Sequence, residues 1–586
     1  MVADLEIRFD DEAHLLLTVA AGDRAIVGHR HHSADIVPDP RPVDGKPDHP
    51  DALYYGGIAA LYTGEENLAV ELLLAATKAL PDRADIINNL GAAYRQSGQI
   101  ERAAEAFRKA TELDPKSTDA FYNLGDTLRD CGQTNDAIKA YRQAIEIDPA
   151  YIDAYINLGA TLAASQQFPE AIEILERAIH TQPEVAETHN TLGKVRQKMG
   201  DIPTAQKDFR QAIALRPDYA DAYYNLGTTL IFTKDFLTAV EAFGKTIELV
   251  PDHAEAHAGQ GATLTELKQY TRAIDAFRRT LALRPQHPAA LRGLGDAHLA
   301  YGDLQEAEAA YRQALSVQDN DIGLMDSLSD TLQKMERFEE AAALYEKILE
   351  IDPNNATAAH FAAALQGKTT TTAPVEYVQK LFDDFADRFE ETLTNELAYN
   401  VPHLIYEMLT RLQADGKITL PFRHALDLGC GTGLCGVMLK KPGHERVAEL
   451  HGVDVSAKMI AEAETKNLYD SLNIAENVEY LDQSDPEMPF DFIYAADVFV
   501  YVGSLEATFA AVHARLTPSG TFIFTVESLD HGTYALNRTG RYAHHDEYIK
   551  TLASKIGFIV QECQEIVVRQ ESDTPIPGLL LALIRS

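Results

Sequence analysis

Tryptophan is absent from this sequence of 586 residues, and cysteine is scarce. The cysteines form no C-x-x-C pair, which excludes the common spacings of a zinc site and favours a reducing, cytoplasmic setting over a disulfide framework. No apolar run reaches the length of a secretory signal or a membrane span, so we expect no membrane insertion. The four cysteines are Cys131, Cys430, Cys435 and Cys563.

Basic residues are also few, with 52 Lys and Arg against 89 Asp and Glu, for a net charge of -37. A surface this acidic repels phosphate backbones and anionic lipids, so nucleic acid and membrane partners are disfavoured. His29, His31 and His32 lie in a proline-containing stretch without a second ligand cluster, and we predict no metal site there or elsewhere.

A regular repeat occupies more than half of the chain. Aligned at a step of 34 residues, the sequence contains nine units between Pro50 and Asn355 without insertion, which is the period of the tetratricopeptide repeat. Such units are helical hairpins that bury their apolar faces by stacking into a solenoid. One position is alanine in all nine: Ala69, Ala103, Ala137, Ala171, Ala205, Ala239, Ala273, Ala307 and Ala341.

Two polar positions recur in the first helix of these units. Asparagine is a poor helix former, so its recurrence asks for a reason. Its amide both donates and accepts, which suits the backbone of an extended peptide in a groove; ordinary repeat consensus is the alternative. An acid near each helix start complements the helix dipole or favours a basic partner. The asparagines are Asn89, Asn123, Asn157 and Asn225, and the acids are Asp85, Asp119, Asp153, Glu187, Asp221 and Glu255.

A glycine-rich loop lies in the last third of the chain. Phe422–Leu428 has a strand pattern, 434–439 has a helix pattern, and between them Gly429, Gly431 and Gly433 let backbone approach a ligand closely. The dinucleotide-binding pattern requires a small residue where this chain has Leu434. A cofactor with a cationic amino-acid end fits better, with Asp427 facing its ammonium group and Cys430 inside the loop.

Acids at the ends of the following strand patterns complete a cofactor site. Asp454 ends the second pattern, at about the interval expected for a carboxylate that binds both ribose hydroxyls. Glu476 follows the third pattern and is our choice for the adenine side, with Asp482 as the competing choice. Further patterns at 490–497, 521–526, 558–560, 566–568 and 579–584 predict a seven-stranded sheet.

With these motifs in order, the segment from Leu426 to Arg585 resembles a class I S-adenosylmethionine-dependent methyltransferase, of a type fused to tetratricopeptide repeats in bacteria. The resemblance implies a Rossmann-like α/β fold and S-adenosylmethionine as cofactor. It also implies that the segment 381–389 forms a helix over that cofactor.

Methyl transfer to a hydroxyl or an ammonium group needs a base. Asp497 and Tyr501 follow the fourth strand, and His544 titrates near neutrality, although it lies in a segment, 538–548, that also fits a lid. Glu527 after the fifth strand is a further candidate. The methyl acceptor itself is left open.

These observations divide the chain into four parts. They are a lead-in at 1–49, a repeat solenoid with a capping helix at 50–366, a polar linker at 367–374 and a methyltransferase domain at 375–586. We expect an active methyltransferase whose solenoid recruits a protein or peptide. The alternative is a binding scaffold whose methyltransferase domain only senses the cofactor or is a relic.

Overall fold

The computed structural model describes residues 7–9, 15–17, 49–393, 397, 399–443, 445–571 and 574–586. They form two compact units, one ending at Gln269 and one beginning at Tyr270. No helix in these ranges is long and apolar enough to cross a membrane. The histidines at 29, 31 and 32, for which no metal site was predicted, lie outside the described residues.

The first unit contains one small strand pair and a series of helices. Strands β1 (Ile7–Phe9) and β2 (Leu15–Leu17) pair antiparallel. The helices are α1 (Pro50–Thr63), α2 (Glu66–Ala79), α3 (Ala84–Gln96), α4 (Ile100–Leu113), α5 (Thr118–Asp130), α6 (Thr134–Ile147), α7 (Ile152–Ala164), α8 (Phe168–Thr181), α9 (Ala186–Met199), α10 (Ile202–Leu215), α11 (Ala220–Phe232), α12 (Phe236–Leu249) and α13 (Ala254–Glu266).

The second unit begins with helices of the same length and spacing, and their series ends in a shorter helix. They are α14 (Tyr270–Leu283), α15 (Pro288–Tyr301), α16 (Leu304–Val317), α17 (Ile322–Lys334), α18 (Phe338–Ile351) and the shorter α19 (Ala356–Leu365). Helical repeats across 50–365 are therefore confirmed.

The repeat signature reflects close packing between neighbouring helices. All nine recurrent alanines are fully buried. The two helices of a repeat also approach closely at Gly125 of α5, where an added Cβ would lie 2.7 Å from the ring of Tyr141 in α6. Real Cβ atoms do not approach that closely, so a larger residue would push the two helices apart.

After α19 the chain changes from repeats to an α/β arrangement. A single turn of 3-10 helix follows α20, and another covers Phe499–Tyr501. The helices are α20 (Val375–Phe385), α21 (Phe389–Glu391), α22 (Val401–Ala414), α23 (Leu434–Leu439), α24 (Ala457–Thr465), α25 (Asn477–Gln483), α26 (Glu506–Arg515) and α27 (Asp546–Ile556). The strands are β3 (Phe422–Leu428), β4 (Val447–Asp454), β5 (Ser471–Ile474), β6 (Phe490–Ala495), β7 (Leu516–Ser528), β8 (Tyr534–Leu536), β9 (Tyr542–His544), β10 (Phe558–Glu571) and β11 (Thr574–Arg585).

These strands form one sheet, with the main order β10-β11-β7-β6-β3-β4-β5. The five strands from β7 to β5 are parallel, whereas β11 runs antiparallel to both of its neighbours, β7 and β10. Two predicted strands, at 558–560 and 566–568, are parts of the single strand β10, so the main path has the predicted seven. The short strands β8 and β9 join β7 at its end and give nine strands in all.

The strand order reverses beside β3, where one chain crossover leads to β4 and the other to β6. Ligands of open α/β sheets bind outside the carboxyl ends of the strands at such a switch point. The glycine loop after β3 and the acids after β4, β5 and β6 all lie at this edge.

The segment predicted as a linker, 367–374, is attached to the α/β domain along much of its length. Thr371 accepts backbone hydrogen bonds from Gly503 and Ser504, and the Ala373 N–H donates to the Tyr501 carbonyl. Thr370 hydrogen-bonds the Tyr542 hydroxyl. The segment is therefore part of the domain's structure, and a boundary at 375 would cut through these contacts.

Candidate functional site

The glycine loop is folded so that two of its residues, Gly429 and Gly431, line a cavity. The N–H groups of Gly429 and Cys430 both donate to the Val453 carbonyl, at 2.9 and 3.0 Å. Gly429 has a φ of 68°, and a Cβ there would lie 2.5 Å from Val498. Only glycine therefore fits this position, and the loop turns so that Gly431 lines the cavity.

Asp454 connects the second strand end to this loop. One carboxylate oxygen accepts the Gly431 N–H at 2.9 Å, and the other accepts the Ser456 N–H at 2.9 Å. Its side chain lines the cavity although it is only 8% exposed. Burial raises its pKa. A carboxylate has about four acceptor positions, so Asp454 retains capacity for ligand hydroxyls.

The two acids proposed for the adenine side lie in different environments. Glu476 lines the cavity, and its carboxylate caps helix α25 by accepting the N–H groups of Val478 and Glu479 at 2.8 and 3.0 Å. Asp482 lies on the exposed side of the same helix. Position therefore favours Glu476 over Asp482.

Three predicted ligands lie behind the loop. Asp427 is 1% exposed, and one of its oxygens accepts the hydroxyls of Tyr469 and Tyr494 at 2.8 and 2.7 Å. Burial raises its pKa to about 7. Cys430 is buried too, and a Cβ on Gly433 would meet Tyr469 at 3.0 Å. None of the three is among the described residues that line the cavity, so contact between Asp427 and a ligand's ammonium group stays a prediction.

The cavity has a volume of about 310 Å³. Its cover is apolar and comes from α20 and the turn after it, with Phe382, Phe385 and Phe389 in edge-to-face contact at centroid distances of 5.7 to 6.0 Å. Val378 of α20 and Tyr399 line it as well. The helix expected to cover a cofactor therefore does lie over the cavity, and its aromatic side chains can exclude water.

A charged cluster lines the far end. Arg569 is 2% exposed, with Asp497 at 3.2 Å and Glu571 at 2.7 Å, and it also pairs with Glu527. Arg541 pairs with Glu571. Sequence reasoning missed Arg569, Arg541 and Glu571 as site residues, because they are distant in sequence from the glycine loop. An arginine directly after the apolar run 566–568 in a strand was the available signal, since a buried cation requires carboxylates around it.

Of the proposed catalytic residues, Asp497 and Tyr501 line the cavity. Asp497 has a φ of 60°, and its N–H donates to the Thr525 hydroxyl at 2.8 Å. That conformation ends β6 at Ala495, two residues earlier than predicted. Burial raises the pKa of Tyr501, so its phenol stays protonated at neutral pH. Tyr501 is therefore suited to donate a hydrogen bond and not to act as a base.

His544 was wrongly predicted as a catalytic residue. It is fully buried in β9, where its Nε2 lies 2.9 Å from the Gly503 carbonyl. Burial lowers its pKa to about 4, so the ring is neutral and binds the backbone. Glu527 is also buried and paired with Arg569. The segment 538–548 contains β9 and the start of α27 and is built into the sheet instead of forming a separate lid.

The asparagine ladder connects neighbouring repeats of the first unit. The Asn157 amide donates to the Tyr122 hydroxyl at 3.0 Å and to Asp126 at 2.8 Å, both one repeat earlier. The other three amides also donate to side chains of the preceding repeat, so at least one of the two N–H donors of every amide is already engaged within the array. These pairs are Asn89 with Tyr54, Asn123 with Asn88 and Asn225 with Asn190.

Among the described residues, His424, Glu449 and His451 form a group that could hold a metal ion. His424 Nδ1 lies 3.0 Å from Glu449, and His451 Nδ1 lies 2.8 Å from the Ser471 hydroxyl. They lie on β3 and β4 before the strand ends, and they do not line the cavity.

Known protein families match both the repeats and the α/β domain of the chain. A methyltransferase domain model matches residues 426–522, and tetratricopeptide repeat models match 91–182 and 198–355 in overlapping pieces. A ubiquinone biosynthesis O-methyltransferase of Bradyrhizobium sp. (strain ORS 278) is 30% identical over 115 residues, which cover 20% of this chain and 44% of that protein. Methyltransferase-like protein 27 of Homo sapiens is 33% identical over 103 residues, covering 17% and 38%.

The chain spans about half or less of the length of these curated relatives. Among solved structures, the MamA protein is 28% identical and covers 29% of this chain and 92% of its own, with a TM-score of 0.26. The family models, together with the repeats and the sheet, lead to one conclusion. This chain is a tetratricopeptide-repeat protein that carries a methyltransferase domain.

Proposed function

We propose that the chain is an S-adenosylmethionine-dependent methyltransferase whose repeats recruit a protein or peptide partner. The observation that supports the proposal is a single cavity lined both by the residues predicted to bind the cofactor and by the residues predicted to act on the acceptor. Gly431, Asp454 and Glu476 line it on one side, and Asp497 and Tyr501 line it on the other. Cofactor and acceptor would therefore meet in the same enclosed space.

The residues of the cavity fit the cofactor. The nearest ring atom to a Cβ on Gly431 would be 3.6 Å away on Phe389, so glycine leaves a gap beneath the aromatic cover. Asp454 would hold the ribose hydroxyls with its remaining acceptor positions, and Glu476 would lie at the adenine side. The backbone of Gly429 and Gly431 would lie along the amino-acid part.

Bound S-adenosylmethionine supplies a methyl group on a positively charged sulfur, and the acceptor's lone pair forms the new bond as the sulfur leaves with the old bonding pair. The protein's task is to align the acceptor and exclude water. The phenylalanines of the cover exclude water. Tyr501 would orient the acceptor by donating a hydrogen bond, and the Asp497 carboxylate would receive a proton when the acceptor carries one.

Cofactor binding is tested by calorimetric titration of the full chain with S-adenosylmethionine. We expect Asp454→Ala to weaken binding by roughly 1.5 to 3 kcal/mol, the range for losing a charged hydrogen-bond partner. Asp482→Ala, which removes an exposed acid after the neighbouring strand, is the matched control and should change little. Equal effects of the two changes, or no binding by the wild-type chain, would contradict the assignment.

Transfer is tested separately from binding. Methyl-labelled S-adenosylmethionine is incubated with the protein and a cell lysate fractionated by size, and the label is followed into proteins and small molecules. An enzyme labels one of these fractions, whereas a scaffold that only senses the cofactor binds it and labels neither. Four of the curated relatives are named ubiquinone biosynthesis O-methyltransferases, which makes a small-molecule oxygen acceptor the competing outcome to a protein.

A further inference from the structure

A second, larger cavity adjoins the first within the second unit. It has a volume of about 1190 Å³, and it is lined by α15 to α19 on one side and by the methyltransferase domain on the other. Leu381, Phe385, Leu397 and Arg541 line both cavities, so they form a shared wall. A ligand in the larger cavity therefore lies directly beside the reactive one.

The side formed by the repeats, here called the repeat wall, carries aspartates next to tyrosines. Asp296 accepts the Tyr311 hydroxyl at 2.6 Å. Burial raises the pKa of Asp296 and of Asp326, and for Asp326 the burial outweighs the attraction of Lys380. Partly buried carboxylates of this kind are stabilised by a nearby cation, and aromatic rings also attract cations.

The cations on the opposite, methyltransferase side already have partners. Arg541 pairs with Glu571. The Arg538 guanidinium lies over the Phe338 ring at 4.4 Å, and the Arg388 guanidinium lies over the Phe385 ring at 5.5 Å. Lys380 on this side faces Asp326, and Lys334 of the repeat wall pairs with Asp330 at 3.0 Å. Burial still raises the pKa of Asp296 and Asp326, so these two repeat-wall carboxyls are the ones that a further positive charge would stabilise.

We propose that the larger cavity binds an extended polypeptide segment, with a basic side chain of the segment against the repeat wall. A neighbouring side chain of the segment extends past the shared wall into the smaller cavity, where it is the methyl acceptor. Small-molecule pockets occupy roughly 300–1,000 Å³, and this cavity exceeds that range. A polypeptide can fill it and still place one side chain in the smaller cavity. The assignment of the acceptor rests on the proposed function, whereas the binding of the segment does not.

The first experiment measures fluorescence anisotropy of a labelled ten-residue peptide of alternating alanine and lysine on the full chain. The double variant Asp296→Asn, Asp326→Asn removes two carboxylates from the repeat wall. The control, Asp275→Asn with Asp319→Asn, removes two exposed charges outside the cavity. We expect the first variant to weaken binding about tenfold, which corresponds to roughly 1.4 kcal/mol, and the control to weaken it far less.

Equal weakening by the two variants would overturn the proposal, because general attraction to an acidic protein would then explain the binding. Equally tight binding of a peptide with glutamate in place of lysine would overturn it as well. Spermidine tests the polypeptide part. If spermidine competes as strongly as the unlabelled lysine peptide, the site binds small amines and not a polypeptide.

A second experiment does not depend on charge. Ser327 lines the cavity, and Ser327→Cys can be modified with a bulky maleimide, with wild-type protein treated identically as the control for Cys131 and Cys563. We expect peptide binding to be lost and S-adenosylmethionine binding to be retained. Unchanged peptide binding overturns the proposal. Absence of S-adenosylmethionine binding in the treated wild type, with peptide binding intact, contradicts only the proposed function.

Discussion

Replacing Asp427 by asparagine should change how the stability of the sheet depends on pH. Burial raises the pKa of Asp427 to about 7 from an ordinary value of 3.8, because the carboxyl is enclosed and its contacts are two tyrosine hydroxyls. The folded state therefore binds this proton more tightly than the unfolded state does. The resulting stabilisation is complete below the unfolded pKa and is lost as pH rises through the folded one.

The size of the effect follows from the shift. Between pH 5 and pH 7 the wild-type protein loses somewhat more than about 1 kcal/mol per pH unit from this group, so about 3 kcal/mol is lost by pH 8. Asparagine does not titrate, and its amide oxygen can still accept a tyrosine hydroxyl. The stability difference between wild type and Asp427→Asn should therefore fall by about 3 kcal/mol from pH 5 to pH 8.

The assay is urea unfolding at several pH values, read by pulsed hydrogen exchange of peptides from β3 and β4. This readout is local to the sheet that contains Asp427. Taking the difference between the two proteins removes the contributions of groups that titrate equally in both. The variant Asp482→Asn is the control, because it removes an exposed carboxylate from the same domain.

A wild-type-minus-variant difference that stays constant within about 0.5 kcal/mol from pH 5 to pH 8 would refute the reasoning. It would mean that Asp427 is ionised throughout this range. In that case the two tyrosine hydroxyls would offset the burial of the carboxylate, and its exclusion from the cofactor cavity would have to be reconsidered.

Three further predictions concern other parts of the chain. A fragment that begins at residue 367 should be more stable than one that begins at 375 by about 3 kcal/mol, since three backbone hydrogen bonds to Thr371 and Ala373 are kept; thermal melts of the two fragments compare them. Asn157→Ala should lower the free energy of unfolding of the repeats in urea by about 1 to 2 kcal/mol, because its amide links two repeats. An unchanged free energy of unfolding would indicate that these hydrogen bonds do not stabilise the array. Burial lowers the pKa of His544 from 6.5 to about 4, so its neutral form stabilises the fold above pH 6.5 and that stability is lost toward pH 4. The stability of His544→Gln should therefore fall less steeply than that of wild type as pH is lowered from 6.5 to 4. An acid-unfolding curve identical to that of wild type would argue against a neutral, buried His544.

Local patterns in the sequence were sufficient to predict the architecture. A 34-residue period with alanine at one position in every unit predicts helical hairpins, because only a small residue lets neighbouring helices approach closely. The glycine spacing and the acids after strand patterns predicted an α/β domain with a seven-stranded sheet and a ligand-binding loop after its first strand. These features depend on residues close in sequence, and the structure confirms the repeats and the α/β fold.

Which of the predicted residues face the cavity was decided by tertiary structure. Asp427 and Asp454 both end strands beside the loop, yet only Asp454 lines the cavity, because Tyr469 and Tyr494 approach Asp427 from elsewhere in the chain. His544 titrates near neutrality as a free side chain, and burial in β9 removes that property. Neither environment follows from local sequence, since each depends on neighbours brought close by folding.

The same holds for the features that sequence reasoning missed. Arg569 is separated by 72 positions from Asp497, and their contact exists only because β10 returns along the sheet beside β11. The larger cavity needs the last repeats to lie against the methyltransferase domain, and His360 of α19 bonding to the Gly540 carbonyl at 2.8 Å is part of that contact. Periodicity and motif spacing determine which elements form, whereas the packing of distant elements determines which side chains share a site.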